Sequence, residues 1–202
     1  MKIICVGRNY AKHARELNNS VPSSPVIFMK PKTACLPNGL TFYYPEFSKN
    51  IHFEGEIVIR MGKSCKSLEE SRVPDFIDSV TVGIDFTARD VQNELKSKGL
   101  PWELAKSFDY SAAIGEFIEM DFDELQRAEI KVLKNGELQQ HGFASEMIFG
   151  IDKLISFISQ RITLHKGDLI FTGTPAGVGP VENGDILELF LNDKRLLVTD
   201  IK

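Results

Sequence analysis

Glu54 and Glu56, in His52-Phe53-Glu54-Gly55-Glu56-Ile57-Val58-Ile59, stand two apart in a stretch with strand-like flanks. Side chains of an extended strand alternate faces, so both carboxylates project from one side and converge on one point. Asp85, in Val82-Gly83-Ile84-Asp85-Phe86, ends a second β-branched, apolar run and supplies a third acid. Two carboxylates held about 4 Å apart repel by about 4 kcal/mol at the dielectric effective in proteins. A divalent cation turns that repulsion into binding, and all-oxygen ligands favour Mg²⁺, Mn²⁺ or Ca²⁺ over zinc. The spacing alone fits equally a solvated sheet face on which Asp85 merely ends a strand. A basic side chain filling the space among the acids would argue against a cation.

Other residues with chemistry surround these acids in the chain. His13 and Glu16 are three apart on a short helical pattern and share a face. Glu16 can accept the imidazole N–H and raise its basicity, which makes His13 a candidate general base; a plain surface pair is the alternative. Arg89 and Gln92 follow Asp85 by four and seven positions, so a helix starting there faces both toward the same point. Lys106 lies among Trp102, Leu104 and Phe108, and if drawn inward it needs an anionic partner such as the acidic cluster. Thr172-Gly173-Thr174-Pro175-Ala176-Gly177-Val178-Gly179-Pro180 lacks the endings of a phosphate or dinucleotide loop. It reads as a tight turn with φ > 0 that can bring N–H groups and the Thr174 hydroxyl close to a small anion.

The elements that position these groups follow from local pattern. Residues 2–7, 26–30, 51–60 and 79–86 read as strands, the second stopped by Pro31. Residues 10–17 read as a short helix, followed by the polar run 18–25, and the segment 8–25 reads as a mobile lid. Residues 33–50 read as loop and hairpin, 67–78 as a polar connection with a short helix at Pro74, and 87–98 as a helix closed by Gly99-Leu100-Pro101. Strand 129–134 enters an Asn135-Gly136 hairpin turn. Residues 145–160 carry the clearest apolar helical stripe, and two turn-then-strand units begin at Gly167 and Gly184.

The 202 residues suit one domain, 1–202, with a sizeable core, and 43% hydrophobic against 26% charged residues suits an ordinary globular protein. A net charge of −4 with no basic block offers no footprint for nucleic acid or an anionic membrane. Cys5, Cys35 and Cys65 are an odd set without metal-ligand spacing, read as reduced thiols of a cytoplasmic protein. No stretch approaches the ~20 apolar residues that span a bilayer.

Taken in order, Gly7-Arg8-Asn9-Tyr10, His13…Glu16, Glu54-x-Glu56, Asp85…Arg89-Asp90-Val91-Gln92, Gly99-Leu100-Pro101-Trp102…Ala105-Lys106-Ser107-Phe108-Asp109 and Thr172 to Gly179 resemble the fumarylacetoacetate hydrolase family. The resemblance is nearest to its short acylpyruvase and oxaloacetate decarboxylase branch and runs from residue 7 to about 190. It implies an α+β fold, a mixed β-sheet roll with peripheral helices and an N-terminal lid, assembled as a homodimer. It implies Mg²⁺ or Mn²⁺, with Ca²⁺ as a substitute, held by Glu54, Glu56 and Asp85. Lys106 would stand beside the metal, with Arg8, Arg89 and Gln92 at the substrate, Thr174 in the carboxylate-binding loop, and His13–Glu16 on the lid. Phe53 and Gly55 depart from the family, which often carries a second His or a bulkier residue there, and Ala113 stands where proline is frequent.

On this reading the metal chelates a pyruvate-containing substrate, and an enolate forms under stabilisation by the cation and Lys106. With His13–Glu16 activating water, the expected reaction is C–C hydrolysis of 2,4-dioxo acids such as acetylpyruvate or fumarylpyruvate. Oxaloacetate decarboxylation or tautomerisation, or isomerisation of 2-hydroxyhepta-2,4-diene-1,7-dioate, would use the same electron sink. A non-catalytic metal-binding module is the remaining alternative.

Overall fold

The computed structural model describes residues 1–16 and 20–202. The predicted end of the first helix at Leu17 and the start of the polar run, Asn18-Asn19, lie outside the described residues.

Fourteen strands among the described residues form three sheets. The largest is mixed and runs in the order β2 (Val26–Lys30), β1 (Ile3–Gly7), β11 (Leu169–Phe171), β5 (Gly55–Met61), β6 (Ile77–Asp85), β8 (Ala112–Ile114), β3 (Cys35–Pro37). Its pairings are antiparallel except β1 with β11 and β3 with β8. A second, antiparallel sheet runs β10 (Glu137–Phe143), β9 (Glu129–Lys134), β13 (Ile186–Leu191), β14 (Lys194–Asp200). A small third sheet joins β12 (Gly179–Pro180), β4 (Ile51–Phe53) and β7 (Thr87–Ala88). The helices are α1 (Ala11–Glu16), α2 (Arg89–Ser97), α3 (Glu103–Lys106), α4 (Phe122–Leu125) and α5 (Ile151–Arg161).

The sheets curl around one interior, the α+β roll that the family resemblance implied. Strands β5 and β6 are apolar on both faces because both are covered; Ile57, Ile59, Val80 and Val82 share a core with Ile130, Val132, Leu187 and Leu189. Ile151, Ile155 and Ile158 of α5 join the same core, so the helical stripe is interior. All three cysteines are free thiols, and no helix among the described residues is long and apolar enough to cross a membrane.

Five local expectations need correction. The strand expected at 51–60 breaks at Glu54, because β4 pairs with β7 and β12 while β5 pairs with β6 and β11. No hairpin fills 33–50; β3 pairs in parallel with the distant β8, a partner invisible to local pattern. The helix expected at 145–160 begins only at Ile151 after the N-cap Gly150, since Met147 is tied to Tyr10 in a β-bridge. Thr87–Ala88 is strand rather than the first turn of α2, and Leu104 is exposed, not a neighbour drawing Lys106 inward.

Candidate active site

The break between β4 and β5 presents Glu54 and Glu56 beside the end of β6. Asp85 N–H donates to Glu54 O at 2.8 Å, joining the two acid-bearing segments where their carboxylates emerge. Glu54, Glu56 and Asp85 are buried, and one carboxylate oxygen from each lies within 4.8 Å of the others.

Cations ring this cluster. Lys106 Nζ, delivered by the last turn of α3, donates to Glu54 Oε2 (2.8 Å), Asp85 Oδ2 (2.7 Å) and Thr87 Oγ1 (2.6 Å). Arg89, at the start of α2, donates from Nη2 to Glu54 Oε1 and from Nη1 to Gln92 Oε1, each at 2.5 Å. Lys30 is fully buried at the end of β2, with Nζ 2.8 Å from Asp85 Oδ1. Its hydrogens are directed at Lys106 O, Ser111 O (3.1 Å) and Ser111 Oγ (2.9 Å), so Asp85 Oδ1 has no aligned donor.

Lys106 therefore bridges two of the three acids, but it does not neutralise the third. Glu56 Oε2 accepts the Gly173 N–H at 2.6 Å and has no ion pair among the described residues. Burial pushes the Glu56 carboxyl well above the ordinary range, and the charges of Asp85 and Glu54 push it further. Burial acts on Glu54 in the same direction, but Lys106 and Arg89 outweigh it and hold Glu54 below the usual carboxylate range. Desolvation would lower Lys106, yet Asp85 and Glu54 keep it raised and charged. Asp85 Oδ1, beside the Lys30 ammonium but without an aligned hydrogen bond, and Glu56, held by one backbone N–H and no cation among the described residues, are carboxylate oxygens left open to a metal ion. The all-oxygen donor set fits Mg²⁺ or Mn²⁺.

A narrow cleft opens over Glu54 and Lys106, with Arg8, His13, Arg89, Gln92 and Lys96 on its walls and Phe28 and Trp102 as apolar sides. Arg8 takes a left-handed φ of +59° and lies over the Trp102 ring at 5.6 Å. The turn is pinned by Asn9, whose Nδ2 donates to Thr172 O (2.8 Å) and whose Oδ1 accepts Phe149 N–H (2.9 Å). His13 is 4% exposed, with Nδ1 3.3 Å from Glu16 Oε2. Glu16 also accepts the Gly177 N–H at 3.1 and 3.3 Å, which latches α1 to the glycine-rich loop. Gly173 and Gly177 both have φ near +100°, as the loop reading expects.

Of the residues picked out from sequence, the acids, Lys106, Arg8, Arg89, Gln92 and His13 meet at one place, with Glu16 directly behind His13. Thr174 sits differently: its hydroxyl donates to Gly55 O (2.8 Å) and accepts from Gln140 Nε2 (2.7 Å), so its hydrogen is committed to the protein. Lys30 and Gln140 escape the sequence reading, and Lys96, which helical spacing reads as part of the outer polar face, lines the cleft instead. Lys30 had one visible signal, a lysine closing an otherwise apolar strand, but Pro31 made it look like a terminus.

Residues 2–201 match the family described as fumarylacetoacetate (FAA) hydrolase C-terminal. The mitochondrial oxaloacetate tautomerase FAHD1 of Homo sapiens is 46% identical over 187 residues, 92% of this chain and 85% of that protein. A crystal structure of a fumarylacetoacetate isomerase/hydrolase candidate from Oleispira antarctica is 44% identical, with a TM-score of 0.93 over 100% of this chain and 93% of that one. Fumarylpyruvate hydrolase from Pseudomonas aeruginosa, solved with Mn²⁺ and pyruvate, is 34% identical, with a TM-score of 0.94 over 100% and 89% of the two chains.

Proposed function

The chain belongs to the fumarylacetoacetate hydrolase family, and from that premise we propose that it is a divalent-metal-dependent enzyme that forms and stabilises the enolate of a small 2-oxo acid. The observation that carries this reading is the meeting of three buried acid oxygens within 4.8 Å, beside Lys106 and under a cleft lined by His13 and Arg89. Glu54, Glu56 and Asp85 would hold Mg²⁺ or Mn²⁺. Bound there, the cation supplies Lewis-acid polarisation of the 2-oxo acid and a template for its oxygens.

The chain's own residues do the rest. Lys106, kept charged and sheltered from water, stabilises negative charge developing on the substrate oxygen. Arg89 fixes the Gln92 amide oxygen, which leaves the amide nitrogen to donate into the cleft, and Arg8 with Lys96 places positive charge at the cleft wall. With Nδ1–H directed at Glu16, His13 holds Nε2 free to take a proton. For a 2,4-dioxo acid, His13 takes a proton from water as it adds to the distal carbonyl. The bond from that carbon to the methylene then breaks, and the electron pair passes into pyruvate enolate, which is protonated at carbon.

The pairing of buried His13 with Glu16 favours this hydrolysis of acylpyruvates. The second reading, keto–enol interconversion of oxaloacetate, is favoured by the 46% identity to a tautomerase; there the same base moves one proton and no carbon–carbon bond breaks. Isomerisation of a hydroxy-dienedioate would use the same enolate. Residues 8–25 act in this scheme as a lid over the cleft, within a single catalytic domain, and the enzyme is a homodimer of the cytoplasm.

Pure protein with Mg²⁺ or Mn²⁺, assayed against acetylpyruvate, fumarylpyruvate, oxaloacetate and a hydroxy-dienedioate, separates these readings. Turnover of either dioxo acid, lost in His13→Ala with Mn²⁺ affinity intact, is the expected result. Inertness toward all four with no metal bound would overturn the proposal.

A further inference from the structure

Gln140 is 0% exposed at the interface between the two larger sheets, and nothing in the reaction scheme uses it. It lies on β10 where the register against β9 slips between Leu138 and Gln140, a bulge that re-aims the side chain inward. The glycine-rich loop abuts that bulge, since a Cβ on Gly177 would collide with Gln139 O. Gln140 Oε1 accepts the Gly55 N–H at 2.8 Å. Its Nε2 donates to Thr174 Oγ1 at 2.7 Å and Pro175 O at 2.8 Å. A backbone N–H can only donate and a carbonyl can only accept, so these partners settle which end of the amide is which.

The geometry assigns Gln140 as a positioning residue for the metal ligands. Strand β11 pairs with β5 only as far as Val58, and Thr172 N–H reaches Ile57 O. Beyond that point the outer edge of Gly55, the residue between Glu54 and Glu56, has no strand beside it. Two side chains replace the missing ladder: Gln140 takes the Gly55 N–H, and the Thr174 hydroxyl donates to Gly55 O at 2.8 Å. Because Gln140 also bonds Thr174, one amide fixes both halves of this replacement. It thereby sets the direction in which Glu54 and Glu56 leave the backbone. It also seats the loop from which Gly173 N–H bonds Glu56 at 2.6 Å. A buried amide satisfied on three sides is held to one geometry, because moving it would strand a polar group away from water.

This inference rests on Glu54 and Glu56 being cation ligands. The test is calorimetric titration with Mn²⁺, without substrate and well below the unfolding midpoint, of the unmodified protein and of Gln140→Met and Thr174→Val. Each variant should weaken Mn²⁺ binding about tenfold, and the double variant should weaken it by less than the product of the two, because both act through Gly55. A residue that merely fills the core would lower the melting temperature and leave the Mn²⁺ affinity unchanged. Unchanged affinity in both single variants, or in Thr174→Val alone should Gln140→Met not fold, overturns the assignment. No Mn²⁺ binding by the unmodified chain would instead sink the metal reading, and this inference with it.

Discussion

Loading the site with Mn²⁺ should release a proton at pH values below the raised pKa of Glu56. The proton comes from Glu56, whose carboxyl is raised by burial and by Asp85 and Glu54 and which no ammonium or guanidinium touches among the described residues. At the 4.8 Å limit on the oxygen separations, each like-charged pair costs roughly 3 kcal/mol at an effective dielectric of about 20. Lys106 offsets part of that for Glu54 and Asp85, which it bonds directly, and less for Glu56. Glu56 must ionise to bind the cation, so apparent affinity should climb about tenfold, or about 1.4 kcal/mol, per pH unit below its raised pKa. The sign for stability follows: with the folded pKa raised, the contribution is present below the ordinary glutamate value and is lost as pH rises toward the raised one. The metal-free protein should therefore lose melting temperature across that window, and the Mn²⁺-loaded protein should not. Titration calorimetry in buffers of different ionisation enthalpy reads the proton count directly. A binding heat independent of buffer, with affinity flat across the same window, would refute the reasoning. Glu56→Gln should abolish the proton release while weakening Mn²⁺ binding.

Lys106→Met removes the ammonium between Glu54 and Asp85, so turnover should fall by at least about 100-fold while Mn²⁺ binding is retained; activity within a few fold of the unmodified enzyme would remove Lys106 from the chemistry. Gly55→Ala puts a Cβ into Val132 and 3.2 Å from Gln140 Oε1, so urea unfolding should show a loss of about 1–3 kcal/mol, and an unshifted midpoint would contradict the close packing. Lys96→Met should raise the KM for oxaloacetate about 10- to 100-fold, in the range of a charge-assisted hydrogen bond, with acetylpyruvate little affected. Equal effects on the two substrates would show that Lys96 does not read the second carboxylate.

Much of the site was legible in the chain because it depends on short-range rules. Alternation along a strand placed Glu54 and Glu56 together, the apolar run before Asp85 placed the third acid at a strand end, and helical spacing placed Arg89 with Gln92. The sequence points Lys106 inward for a partly mistaken reason. Leu104 is exposed, and what holds the lysine is its ion pairs with acids from two other elements. Lys30 and Gln140 were out of reach, one disguised as a strand terminus before Pro31 and the other set in the polar run Glu137-Leu138-Gln139-Gln140-His141.

By itself the sequence determined which side chains bear the chemistry and which face each one takes, because strand and helix periodicities act over a few residues. The tertiary structure alone decided the break at Glu54, the three cations set against three acids, the commitment of the Thr174 hydroxyl to Gly55, and the burial of Gln140. Each of these depends on which distant segment lies alongside: β7, β12 and β11 around the Glu-x-Glu, and the bulge in β10 beneath it. Pairing between segments a hundred residues apart is chosen by the packing of the whole interior, and no local window contains that information.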